Sequence, residues 1–299
     1  MKELTELTND TSLATWIPAD YYADLILEAS VCYGQLSGVI TALDYDAEQG
    51  SGGIVQVRYA SSRSAQGPME ACECLSAASS TLGTYSITIY PYGDYDQMCG
   101  YSLWKAKGPV KDVILNEMAK GLANARDSAI WDAIVTLTPG YHAHSTASCG
   151  STTTDSTYCC GNKFAHSFYN AIVSVTQEMK SNCYHPDYLI LNPTVARYFY
   201  NKDYLYENGF QTKYDANGNM TMLHGLKVIE TGVATDCSTS ATTLAVIIDS
   251  SKAVGEAWGK RPTFEETRVP ECDYYKEVIW MYWGCHEMDL NAIGHVLNP

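Results

Sequence analysis

Two hydrophobic periods alternate along the chain. A glycine cluster, Gly50, Gly52 and Gly53, opens a run in which Val55, Val57 and Tyr59 face one way and Gln56 and Arg58 the other. That period of two predicts a strand with one wet face. A second run sets Tyr85, Ile87 and Ile89 against Ser86 and Thr88, and Pro91 is expected to end it. Between the runs, Ala60 to Gly83 is rich in Ser, Ala and Gly. Residues 50–90 therefore read as a long two-stranded hairpin with an extended tip. A lone hairpin cannot bury its own faces, so it must lie on something else. The expectation is that its apolar face finds no cover within its own subunit.

The period then lengthens to 3.6. Gly108-Pro109 suits a helix start, because proline at the first position loses no hydrogen bond. Val110, Val113, Ile114, Met118, Leu122, Ala125, Ala129, Ala133 and Ile134 fall on one stripe, and Pro139-Gly140 stops it. A helix of roughly 29 residues would span about 44 Å, the length of a structural spar. Tyr141 to Asn162 is small and polar and reads as a loop. Phe164, Phe168, Ile172, Val175 and Met179 predict a second helix. Tyr188 to Leu191 is a short buried strand, and Asn192-Pro193 caps and opens a helix reaching about Tyr200. Asp215 to Asn219 is turn chemistry. Lys227 to Glu230 and Leu244 to Asp249 read as strands, and Ser250 to Ala257 as a helical turn. The last strands are Thr263 to Arg268 and Glu277 to Asp289, the second alternating Val278, Trp280, Tyr282 against Ile279, Met281, Trp283. Upstream, Trp16-Ile17-Pro18 reads as an extended anchor before a short amphipathic helix at Tyr22 to Val31. With no repeat and a mixed element order, the fold class is α+β.

Composition narrows the function. The 299 residues carry 34 acids against 19 Lys and Arg, a net charge of -15. Residues 1–50 hold nine acids and one base, Lys2. Tight binding to nucleic acid or to anionic membrane needs a basic surface, so neither is expected. No run approaches the roughly 20 apolar residues that cross a bilayer, and MKELTELTND predicts no secretory leader. The 11 cysteines are an odd count, so full internal pairing is impossible. Buried thiols and disulfides both remain open.

Catalytic signatures are missing: no GxxxxGK[ST], GxGxxG, GxSxG or HExxH is present. Asp215, Asn217 and Asn219 imitate a calcium loop, but Met220 and Leu226 stand where Gly and Glu are needed. Asn9-Asp10-Thr11 and Asn219-Met220-Thr221 match the glycosylation triplet without a leader to use them. His142, His144, Cys149, Cys159, Cys160 and His166 are zinc-ligand types on one polar stretch, yet the spacing is not that of a structural zinc site. The alternatives there are zinc, a disulfide from Cys149 to Cys159 or Cys160, and free thiols. Trp258, Trp280 and Trp283 read as core or interface anchors. No catalytic residue, cofactor or metal is assigned.

The order of parts carries a resemblance. An acidic arm precedes the hairpin, then the long helix from Gly108-Pro109, then Tyr188-Leu-Ile-Leu-Asn-Pro-Thr-Val-Ala-Arg. Leu223-His-Gly-Leu-Lys-Val-Ile-Glu follows, then Leu244-Ala-Val-Ile-Ile-Asp, Trp258-Gly-Lys-Arg-Pro-Thr and a long closing strand. Over nearly the whole chain this layout resembles the HK97-fold major capsid proteins of tailed double-stranded DNA viruses. The resemblance implies an N-terminal arm (1–49), an E-loop hairpin (50–104), a spine helix and its following loop in a peripheral domain (105–162), an axial domain (163–260) and C-terminal strands returning to the peripheral domain (261–299). It implies pentamers and hexamers closing into an icosahedral shell around packaged DNA, in a virion assembled in the host cytoplasm, with portal, scaffold or decoration proteins as further partners and no membrane. Val57, Arg58, Arg63, Tyr85 and Ile87 would belong to the assembly hairpin. The arm is too short for a built-in scaffolding domain. No lysine lies between Lys2 and Lys105, so a hairpin lysine–asparagine cross-link is unavailable. Cys72 and Cys74 at the tip would offer inter-subunit disulfides instead. The alternative is an encapsulin-type nanocompartment with a protein cargo.

Overall fold

The computed structural model describes residues 34–42, 53–60, 82–100, 110–136, 139–145, 154–155, 161–200, 212–236, 242–269 and 273–299. The elements are β1 (Thr41–Ala42), β2 (Ile54–Ala60), β3 (Leu82–Thr88) and β4 (Tyr90–Cys99), then helix α1 (Val110–Val135). β5 (Tyr141–His144), β6 (Thr154–Asp155) and β7 (Gly161–Asn162) lead into α2 (Lys163–Ser181). β8 (Tyr188–Leu191), α3 (Pro193–Ala196), β9 (Thr212–Tyr214), β10 (Met220–Leu223) and β11 (Leu226–Glu230) follow. β12 (Thr243–Ile248), β13 (Val254–Val269), β14 (Tyr274–Glu287) and β15 (Ile293–Leu297) complete the set. The mixed class is α+β, as expected.

Two sheets organise the molecule. One has the order β5-β15-β12-β8-β11-β10-β9 and the other β1-β13-β14-β4. In the seven-stranded sheet β8 and β12 are apolar on both faces because helices cover both. Leu189, Leu191, Leu244 and Ile247 pack with Phe164, Phe168, Ile172, Val175 and Met179 of α2, and all nine are fully buried. Ile190, Val246 and Ile248 turn the other way and meet Ile130, Trp131 and Ile134 of α1. The four-stranded sheet presents Phe264, Ile279 and Met281 to Leu115, Met118, Ala119 and Leu122, nearer the start of α1. One helix of 26 residues thus serves two sheets, which is the physical use of its length.

The buried side of α1 is rotated from the expected stripe. Val113 is 57% exposed and Ala125, Ala129 and Ala133 are half-buried, whereas Leu115, Ala119, Ala123 and Ile130 are buried. The displacement has a charged cause, because Arg126 and Asp127 occupy the core face. Arg126 Nη2 pairs with Glu256 Oε2 at 2.5 Å, and the Trp283 indole N–H donates to the same oxygen at 2.8 Å. The guanidinium lies 5.2 Å from the Trp258 ring and 5.5 Å from Trp283. Asp127 accepts the backbone N–H groups of Gln35 (2.8 Å) and Leu36 (3.2 Å), which ties the segment before β1 to α1. Charge on a helix reads as solvent-facing in a periodicity count; here each charge meets a partner supplied by a distant strand or segment.

Other expectations are corrected. Pro91 does not end the extended run: it lies within β4, paired with Tyr282. Among the described residues β4 is the last strand of its sheet, where a missing N–H costs no ladder bond on the open side. Tyr141 to His144 is a strand rather than loop, parallel to β15. It hides among polar residues because only Tyr141 and Ala143 face the core, while His142 and His144 are exposed. Ser250 to Ala257 is not a helical turn throughout. Asp249 closes a turn by accepting from Ser251 and with its carbonyl from Lys252 and Ala253, and β13 then begins at Val254.

The Asn-Pro helix start is as read. Asn192 Oδ1 accepts the Thr194 N–H at 2.9 Å, and the helix tightens to a 3-10 turn at Arg197–Phe199. The Asp215 turn is also present, its carboxylate accepting from the N–H groups of Asn217 and Asn219. The β10–β11 hairpin turns at His224-Gly225, both at positive φ (52 and 80), the geometry in which a two-residue turn matches strand twist.

Candidate assembly surface

The hairpin forms as β2 and β3, antiparallel, with Val57 opposite Tyr85 and Val55 opposite Ile87. Its base is not bare. Val55, Val57 and Ile87 are buried against Ala257 of β13, which overturns the expectation that the apolar face finds no cover in its own subunit. The seat is made of small residues. Ala257 and Gly284 are cross-strand partners on β13 and β14. A Cβ at Gly284 would collide with the Thr88 carbonyl, and one at Gly259 would come within 3.1 Å of Ile89. The absent side chains let the β3 backbone lie directly on the sheet. Tyr85 stacks on His286 with ring centroids 5.9 Å apart.

Of the hairpin residues singled out in the sequence, Val57 and Ile87 are therefore seat contacts and Tyr85 is half-buried beside them. Arg58 is within β2, opposite Thr84. Arg63 and the tip lie outside the described residues.

Beyond the seat, the outer face of the four-stranded sheet is apolar and uncovered among the described residues. Trp280 (40%), Tyr282 (40%) and Tyr95 (52%) of this sheet are exposed, as is Ile54 (43%) of β2 beside it. A pocket of about 270 Å³ at the hairpin base is lined by Gly53, Ile54, Val55, Ile89, Pro91, Gly259 and Tyr282. The Trp280 ring sits against its cross-strand partner Gly93, where a Cβ would meet it at 2.6 Å. Lys260 Nζ sits 6.0 Å from the Tyr282 ring centroid. An exposed aromatic face beside the hairpin base suits a protein partner better than a small polar substrate.

The other candidates separate. Cys72, Cys74, Cys149, Cys159 and Cys160 lie outside the described residues. Cys99 and Cys183 are exposed free thiols. Cys285 is also a free thiol, and its burial, with the nearby Glu256 carboxylate, pushes its pKa up to about 12, so it is chemically quiet. His142 and His144 meet edge to face at 6.1 Å, and His144 Nδ1 is 3.1 Å from the Asn298 carbonyl. His166 contacts Asn170 instead. Among the described residues no three His, Cys, Asp or Glu side chains are placed to hold a metal. The buried Arg126, Asp127 and Glu256, and the seat glycines Gly259 and Gly284, went unread in the sequence. The charged pair interrupting an apolar helix was the available signal.

No family model matches the sequence, and no curated protein matches it. Solved structures do. The capsid of cyanophage P-SCSP1u is 13% identical and aligns over 87% of this chain and 86% of its own, with a TM-score of 0.67. The capsid of a native GTA particle is 11% identical over 89% and 90%, with a TM-score of 0.64. The mature capsid of bacteriophage PhiM1 is 11% identical over 88% and 86%, with a TM-score of 0.63. The likeness is one of fold: identity is 11–13% while the alignments cover 87–89% of this chain. The chain has the HK97-like fold of viral capsid proteins.

Proposed function

We propose that this chain is a shell-forming capsid subunit: a structural protein, not an enzyme, whose copies assemble as pentamers and hexamers into an icosahedral particle enclosing double-stranded DNA. The observation that carries the reading is the fold likeness to capsid structures over nearly nine-tenths of the chain. The outer aromatic face and the hairpin agree with it, since both offer surface that a second copy can cover. In this reading the hairpin is the assembly arm, with Val57, Tyr85 and Ile87 setting its base and Arg58 and Arg63 lying toward its tip. Residues 1–49 form the N-terminal arm, 50–104 the E-loop segment, 105–162 and 261–299 the peripheral domain, and 163–260 the axial domain. The protein belongs to the virion and is assembled in the host cytoplasm. Portal, scaffold and decoration proteins complete the particle. Disulfides at Cys149 to Cys159 or Cys160, or between subunits through Cys72 and Cys74, reinforce it.

Negative-stain microscopy of the purified chain tests the proposal directly. Closed shells tens of nanometres across are expected, and a monodisperse monomer in near-physiological salt overturns it. Shortening the hairpin separates arm from core: joining Val57 to Tyr85 through a two-residue turn keeps the seat and removes the tip. Circular dichroism should report a folded subunit and sedimentation only capsomers or smaller. Normal closed shells from this deletion would remove the arm assignment.

A further inference from the structure

The outer edge of β4 carries its own closure. β4 is the last strand of the four-stranded sheet among the described residues. In an antiparallel ladder, alternate residues turn their backbone groups toward the neighbour and away from it. The Gly100 N–H donates to the Asp273 carbonyl beside β14 (2.8 Å), so even-numbered positions of β4 face β14 and odd-numbered ones face outward. Outward-facing backbone groups at alternate positions along a ten-residue strand would invite pairing with another chain. Pro91 stands at an outward position and has no N–H to offer. The Tyr95 N–H donates to Asp94 Oδ1 at 2.8 Å, and the Gln97 N–H donates to Asp96 Oδ1 at 2.7 Å. Two successive outward donors are thus taken by the carboxylate of the preceding residue. Asp94 and Asp96 have low strand propensity.

We propose that Asp94 and Asp96 are edge caps, which occupy the outward N–H groups of Tyr95 and Gln97 and, with Pro91, close this edge to strand addition by a second copy of the chain. The device is independent of the shell reading: it restricts how copies meet whatever they build. It leaves the hairpin and the outer aromatic face as the surfaces open to contact.

Four forms of the full-length chain test it: wild type, Asp94→Ala/Asp96→Ala, Asp94→Asn/Asp96→Asn, and the alanine pair with Gln97→Pro added. Asparagine keeps an acceptor oxygen and loses the charge; proline deletes one outward donor, as Pro91 does. In dilute solution, amide hydrogen exchange at Tyr95 and Gln97 should speed about fivefold or more in the alanine pair and stay near wild type in the asparagine pair. On concentration, the alanine pair should form β-rich, dye-binding aggregate where wild type and the asparagine pair stay clear, and Gln97→Pro should reduce it. An asparagine pair that aggregates like the alanine pair overturns the proposal, because charge and not the cap would then guard the edge. Unchanged exchange and clear solutions from the alanine pair overturn it too. Should the pair fail to fold, Asp94→Ala and Asp96→Ala singly must each speed exchange at its own following residue alone; equal effects at both sites overturn the assignment.

Discussion

Arg126 and Glu256 join α1 to β13 through a contact that must be complete or absent. Both side chains are under a tenth exposed. Removing one partner leaves a buried charge without its counter-charge, which costs about 3–5 kcal/mol. Arg126→Met alone and Glu256→Gln alone should each lower stability by that order in urea unfolding, whereas the double variant should recover part of the loss. Additive losses would show that the two groups act separately. His295 makes a different demand. It is buried on β15, donates from Nε2 to the Ile134 carbonyl at the end of α1 (3.0 Å), and faces His142 on β5. Burial, with the nearby His142, holds its pKa below the ordinary 6.5. The unfolded chain therefore takes up the proton first. Stability from this residue is fully present above pH 6.5 and is lost as pH falls below it. His224 is shifted in the same direction by burial and by Lys180. His295→Gln should flatten the acid side of the stability profile, read from melting temperatures between pH 5 and 7.5; an unchanged slope would place the titration elsewhere.

At the scale of elements, the hairpin depends on what its seat lacks. Gly284 admits the Thr88 carbonyl to the sheet surface, and its partner Ala257 sits under Val55, Val57 and Ile87. Gly284→Val should lift β3 from β14 at a cost of about 1–3 kcal/mol, the usual range for overpacking. The core around α1 lies away from this seat, so melting should stay cooperative while closed particles disappear from sedimentation profiles. Wild-type particles from Gly284→Val would mean that the hairpin tolerates a changed angle. Helix α1 behaves oppositely. Its two halves belong to two different cores, so damage at either half is felt by both sheets.

At the scale of the molecule, charge sets the conditions of association. Each copy carries -15, so copies repel until salt screens them; the screening length falls from about 30 Å at 0.01 M to about 8 Å at 0.15 M. Assembly rate by light scattering should rise steeply over that range. Binding to free duplex DNA should remain weak, because few cations are present to release counterions. Sub-micromolar affinity for random duplex at physiological salt would contradict this. On the proposed shell reading, this net acidity lets the particle enclose DNA without adhering to it.

Local order was decided by local sequence. Phe164 to Met179 spelled α2 because five residues at helical spacing have no other face to share. Val278 to Trp283 spelled β14 with its inner and outer sides, and Asn192-Pro193 spelled a helix start. The run from Val55 to Ile89 declared a hairpin, and the order of these parts declared the fold. Distance in sequence hid the rest. Pro91 and the residues from Tyr141 to His144 are strand only because β14 and β15 supply the pairing partners. Arg126 and Asp127 face inward only because Glu256 and the Gln35–Leu36 backbone meet them there. The hairpin rests on its own subunit because Ala257, Gly259 and Gly284, some 170 to 200 residues downstream, converge into one flat seat. A period along the chain records which side of an element is apolar. What covers that side, and which charge is neutralised beneath it, is a property of residues brought together only by the completed fold.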